Sequence, residues 1–238
     1  MEIGEIISDA IHYPLNHINS LLVYIVIMFV IGLIGVFTGV GVIIGQEANQ
    51  GFASGIIGLI GLLLILIIAL LVNGYGLDII KLAIDRSDAA PEIDIANQVI
   101  AGLKYLIVSI VYCIIPFIVM ALLSSLNDTL GLIVGIILFI IFGLALIMGE
   151  CRLANTGSLG EALNIPEAIK DLQTIGILKT LIVLIIAGII VFILNFIAGL
   201  FGGLGDIGSI ISAILTAIIG AYTFFFTNRA IGLLYSDA

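Results

Sequence analysis

Residues 74–104 read GYGLDIIKLAIDRSDAAPEIDIANQVIAGLK, the longest polar interruption in a chain that is otherwise mostly hydrocarbon. Within it Asp78, Lys81, Asp85 and Asp88 recur at helical spacing, while Leu77, Ile80 and Ile84 fall on the opposite side. That pattern predicts an amphipathic helix lying on the cytoplasmic face of a membrane. A shorter interruption, Cys151 to Lys179, repeats the theme. There Ile165, Ala168, Ile169 and Leu172 make an apolar stripe opposite Glu167, Lys170 and Asp171, and Ser158–Glu161 has the form of a capping box.

Working outward, the stretches between these loops are long Ile/Leu/Val/Gly runs. The chain is 62% hydrophobic and 10% charged, with a mean hydropathy of +1.39, against about 25% charged in a soluble domain. Uncharged runs of this length need lipid as solvent. Six spans are predicted, at about residues 21–44, 52–72, 99–123, 130–149, 175–200 and 207–226. Each reaches the roughly 20 residues that cross ~30 Å of hydrocarbon. Gln46–Gly51, Ser124–Thr129 and Phe201–Asp206 are the short turns. Ahead of the first span, Ile3, Ile6, Ile7, Ala10 and Ile11 oppose Glu2, Glu5 and Asp9, which predicts one more interfacial helix. No Lys or Arg precedes the first apolar run, so that run reads as a retained span rather than a cleaved signal peptide.

Lys81, Arg86, Lys104, Arg152, Lys170, Lys179 and Arg229 all fall on the side that holds both termini and both long loops. The short turns carry only Glu47, Asp128 and Asp206. The positive-inside rule then puts both termini in the cytoplasm and the protein in the cytoplasmic membrane. A formal charge of −9 with seven Lys/Arg argues against nucleic acid as a partner and weakens polybasic docking to lipid.

Pro14, Pro91 and Pro166 lie 77 and 75 residues apart, each ahead of a span. Gly102–Val108 resembles Gly176–Val183 with one insertion. The expectation is a pseudo-threefold repeat, 1–76, 77–152 and 153–238, each unit an interfacial helix, a span, a turn and a span. Gly35/Gly39, Gly41/Gly45, Gly51/Gly55 and Gly131/Gly135 are GxxxG pairs. They read as packing between the chain's own helices, or alternatively as a dimer face or a glycine-lined passage. Pro116 is expected to kink the third span.

The search for chemistry is short. His12 and His17 have no companion ligands, Cys113 has no visible base, and no catalytic, nucleotide-binding or zinc motif is present. No catalytic residue, cofactor or metal site is expected. Lys104 and Lys179 lie close enough to the boundary to snorkel. Asn195, well inside the fifth span, is expected to make an interhelical hydrogen bond. The best constellation is the set of residues where even-numbered spans leave the membrane: Asn73, Tyr75, Glu150, Arg152, Asn228 and Arg229. A threefold repeat would gather them as a cytoplasmic ring, with Glu150 pairing Arg152 or Arg229. Such a ring locks the bundle or, alternatively, binds a polar headgroup or a partner.

Gly74-Tyr75 closing a span, the charged helix after it, Pro91-Glu92-Ile93-Asp94 and Gly102 opening the next span together resemble an archaeal family of multi-pass proteins, domain of unknown function 4013. The likeness extends through Arg152-Leu153-Ala154 to Gly232-Leu233-Leu234-Tyr235; the family often has an aromatic where Ile93 stands. The resemblance implies lineage and topology and carries no activity. The resulting expectation is an all-α integral membrane protein without enzymatic activity, structural, interactive or lipid-organising in role. Its partners would be membrane lipid and, through glycine faces, a second copy or another membrane subunit. A passive or weakly coupled transporter is the alternative, and an enzyme of lipid or envelope metabolism the second.

Overall fold

The structure, a computed structural model, describes residues 1–47 and 51–238, with backbone alone at Gln46. The turn expected at 46–51 therefore lies, through residues 48–50, outside the described residues. The described residues form helices without strands: α1 (Ile3–Asn16), α2 (Ile18–Glu47), α3 (Gly51–Ile84), α4 (Ile95–Ser124), α5 (Asp128–Thr156), α6 (Leu159–Ala162), α7 (Ile165–Ile175), α8 (Ile177–Gly202) and α9 (Gly205–Tyr235). Six of them, α2–α5, α8 and α9, are long and apolar enough to cross a membrane. The chain is a multi-pass, all-α membrane protein.

The even-numbered spans do not stop where the hydropathy drops. Instead of ending near Val72, Gly149 and Phe226, the helices run on to Ile84, Thr156 and Tyr235. The polar helix that opens at Gly74 is thus not a separate surface element but the second half of α3. Nothing between Val72 and Ile84 interrupts the backbone ladder. The break comes at Arg86, a non-glycine residue at φ 54°, with Ser87 N–H closing on Leu82 O at 2.8 Å. Pro91 then stands in a non-helical segment, Pro14 lies inside α1 and Pro166 opens α7, so the three prolines occupy three different settings. At the end of α5, Gly157 takes a left-handed φ of 67°, the usual glycine terminator. Ser158 accepts from Glu161 N–H, as the capping pattern predicts. Pro116 sits within an unbroken α4.

α2 packs on α3, α4 on α5 and α8 on α9, giving three hairpins. Small residues close two of them. Gly41 and Gly45 face Ile57 and Ser54, and Gly131 and Gly135 face Ser124 and Met120. Gly35 and Gly39 behave differently: among the described residues a Cβ at either would meet nothing within 4 Å. The same is true of Gly51 and Gly55 among the described residues.

Only 11–22% of each span's most apolar stretch is buried, so most of its Ile, Leu and Phe side chains face outward. The core lies at one end, which we call the base. There the C-terminal halves of α3, α5 and α9 meet one another and α1, α6 and α7. One cluster includes Ile6, Ile80, Met148, Cys151 and Leu234; a second gathers Tyr13, Tyr24, Tyr75, Ile79 and Phe225. α7 buries Ala168, Leu172 and Ile175 here, leaving Lys170 exposed. Backbones touch where glycine allows it. A Cβ on Gly74 would overlap the carbonyl of Gln98, one on Gly102 that of Leu70, and one on Gly232 would crowd Ile80.

Both ends of the chain reach the base. Asp237 accepts from Lys179 Nζ at 2.6 Å, from Arg86 at 3.1 Å and from the Met1 amino group at 2.8 Å. Burial alone would raise this carboxyl, but the hydrogen bonds from Lys179 and the amino group, with their charges, hold it below the ordinary carboxylate value. A lowered folded-state value means the contribution is full above the unfolded pKa of about 3.9. It is lost as pH falls through the folded value. Asp237→Asn is therefore expected to lower the free energy of unfolding slightly at pH 7, by about 1 kcal/mol, the upper end for ion pairs still within reach of water. That deficit should be constant down to about pH 4 and vanish in stronger acid. A deficit that persists unchanged below the carboxylate range would show that the charge is not what matters.

Candidate functional site

Arg229 is the most completely buried charge in the chain, 2% exposed near the end of α9. Its Nε donates to Asp9 Oδ1 of α1 at 2.7 Å, and a terminal nitrogen donates to the carbonyl of Ser87 at 2.5 Å. The guanidinium also stacks over the Tyr13 ring, 4.6 Å from its centroid. Burial chiefly, and then the nearby Tyr75, push the Tyr13 phenol well up. It stays protonated and donates to Ala89 O at 2.9 Å. One side chain thus ties α9 to α1 and to the segment after α3.

Arg152, near the end of α5, has a similar role in the preceding hairpin. It donates to Asp171 Oδ2 of α7 at 2.9 Å and to both the carboxylate and the backbone carbonyl of Glu161 in α6. Tyr235 of α9 donates to the same Asp171 oxygen at 2.9 Å. At the end of α3 the corresponding ties are neutral or singly charged. Tyr75 points its hydroxyl at Pro91 O, 3.5 Å away, and Asp78 accepts from Gln98 of α4 at 2.9 Å. Each helix that leaves the membrane is therefore bonded to a polar segment that leads into a neighbouring hairpin.

No hydrogen bond or ion pair joins any two of the six residues expected to form a ring, among the described residues. Asn73 and Asn228 donate to Ala69 O and Phe224 O of their own helices. Tyr75 is fully buried among Tyr24 and Phe225. Glu150 pairs with neither Arg152 nor Arg229. Two residues on a helix are turned by about 200°, so while Arg152 faces α6 and α7, Glu150 faces Tyr105 of α4. Asn195 donates to Val191 O of its own helix rather than across helices. Lys104 and Lys179 do not end in open solvent either: Lys104 donates to Gly157 O at 2.8 Å, and Lys179 joins Asp237. His12 and His17 bond to carbonyls one turn back, Ser8 O and Tyr13 O.

The partners that matter, Asp9, Asp171 and Gln98, were not among the sequence candidates. A signal existed for Asp9. It belongs to the polar side of the α1 pattern, yet it stands one turn from both Ile6 and Tyr13, at the edge of the face that α1 buries. An acid so placed calls for a buried cation. Between the ends of α3 and α5 and the start of α4 lies a cleft of about 220 Å³ lined about equally by polar and apolar groups, with Asp78, Lys81, Lys104, Asn155 and Thr156 beside Leu77, Ala101 and Leu153.

The family model described as "Protein of unknown function (DUF4013)" matches residues 57–203. That window runs from α3 to the end of α8 and includes the cleft and the Arg152–Asp171 pair, while Asp9 and Arg229 lie outside it. The chain is also similar to the uncharacterized protein MJ1189 of Methanocaldococcus jannaschii. The two are 26% identical over 270 aligned positions that cover 97% of this chain and 95% of the relative. No solved structure matches.

Proposed function

The chain belongs to the family described as Protein of unknown function (DUF4013), and on that footing we propose that it is a non-enzymatic structural or interaction protein of the cytoplasmic membrane. The base and both termini lie in the cytoplasm, where all seven Lys and Arg then fall. Three repeated hairpin units rise from the base into the bilayer.

The observation that carries this reading is the contrast between the two ends of the molecule. The base is packed and cross-bonded, while the spans leave more than three-quarters of their apolar stretches unburied. Apolar side chains gain little by meeting each other in lipid, so such walls are held only where backbones come close. α2 offers that approach at Gly35 and Gly39, which its own hairpin does not use. The protein thus suits the role of a rooted set of hairpins that other membrane helices join, from a second copy or a partner subunit.

The test is assembly. The purified protein in lipid nanodiscs or vesicles should self-associate or retain a partner subunit, measured by resonance energy transfer between labelled copies and by native mass spectrometry. The paired change Gly35→Leu and Gly39→Leu should abolish that association and leave the unfolding midpoint of the detergent-dispersed monomer unchanged. A monomeric protein that carries solute across vesicle walls would overturn the proposal in favour of transport.

A further inference from the structure

Lys81 and Lys104 stand apart from the other cations. Arg86, Arg152, Lys170, Lys179 and Arg229 all lie within ion-pair distance of a carboxylate. Among the described residues Lys81 and Lys104 do not, in a chain where Asp and Glu outnumber Lys and Arg 16 to 7. These two unpaired lysines line the same cleft.

We propose that this cleft is a binding site for a phosphate-type anion, carried either by a lipid headgroup or by a small phosphorylated solute. Its geometry suits that ligand. Lys81 approaches from the last turn of α3 and Lys104 from α4, so two helices supply the positive charge. Lys104 spends one N–H on Gly157 O and keeps two for a ligand. Asn155 also lines the cleft. Asp78 is the one carboxylate in the lining; its Oδ2 is engaged by Gln98, and the two lysines outnumber it. About 220 Å³ is room for a phosphate and a short polar arm. Lys104 sits nine residues into a membrane-crossing helix, so the cleft opens near the level where lipid headgroups lie. Charge-assisted hydrogen bonds from two lysines to one anion are the strong class of such bonds. The inference does not depend on whether the hairpins assemble.

The experiment compares the wild-type protein with Lys81→Gln/Lys104→Gln and, as a control outside the cleft, Lys170→Gln. Two probes are used: inorganic phosphate, followed by thermal shift in detergent, and phosphatidylglycerol against phosphatidylcholine in nanodiscs, followed by retained lipid in native mass spectrometry. The double variant should bind at least one anionic probe about tenfold more weakly, with the control unchanged. Loss confined to phosphate assigns the site to a free solute, and loss confined to phosphatidylglycerol assigns it to a headgroup. Absence of saturable binding of either anion by the wild type, or equal binding by the double variant, overturns the proposal. If the double variant does not fold, the exposed Lys81→Gln alone decides, and an unchanged affinity for both anions overturns it.

Discussion

Arg229→Ala is expected to cost the protein about 3 kcal/mol or more, because removing one partner of a buried pair strands the other groups that pair satisfied. The stranded groups are the Asp9 carboxylate and the Ser87 carbonyl, and the Tyr13 ring loses its cation. Asp9 is 37% exposed at its side chain and can recover some water, which keeps the expected cost at the lower end of such losses. Unfolding by titration with a denaturing detergent should show a much lower midpoint and a preparation prone to aggregate. The paired change Asp9→Leu and Arg229→Met should recover some of the loss, since it removes both charges and keeps apolar volume. A single alanine variant as stable as wild type would mean that α1 is not locked to α9 through this side chain. A variant that folds normally but loses a measured binding activity would assign Arg229 to function instead.

The second large effect lies at the crossing of α3 and α4. Gly74 and Gly102 let the two backbones touch, each glycine under a carbonyl of the opposite helix, Gln98 and Leu70. Any side chain there must push a helix aside, since no flexible side-chain tip is available to yield. Gly102→Leu is expected to cost about 3 kcal/mol, at the upper end of overpacking effects. Gly188→Leu, where a Cβ meets nothing within 4 Å among the described residues, should leave the free energy of unfolding within about 0.5 kcal/mol of wild type. The comparison is sharp because both are glycines in apolar helices of the same chain. Equal and small effects would show that the crossing is loose.

Much of the architecture can be read from composition and charge. Six long apolar runs, four without a charge and two with a single lysine near one end (Lys104 and Lys179), give six spans, and the placement of Lys and Arg puts both ends and both long loops on one side. Hydropathy marks where lipid contact ends, however, and not where a helix ends. Asp78 and Lys81 lower the average after Val72 without disturbing a single i to i−4 bond, so α3 continues where the sequence suggests a boundary. The candidate site was only partly legible. Arg152 and Arg229 stand out because cations are scarce, but their partners come from elements distant in sequence. Asp9 lies 220 positions from Arg229. Glu150, next but one to Arg152, is the tempting partner by proximity, and helix geometry turns it the other way. The glycine pairs divide for the same reason. Spacing identifies a smooth helical face, and only the hairpin's registry decides whether that face looks inward or outward.

The unbroken course of α3 has a mechanical meaning. At about 1.5 Å per residue its 34 residues span about 51 Å, well beyond the ~30 Å of hydrocarbon in a bilayer. With no break in the helix between the segment of lipid length and the segment in the base, any tilt of the outer arm as a rigid rod would carry the inner arm with it. That inner arm carries Ile80 and Ala83 against Gly232, and Asp78 and Lys81 on the wall of the cleft.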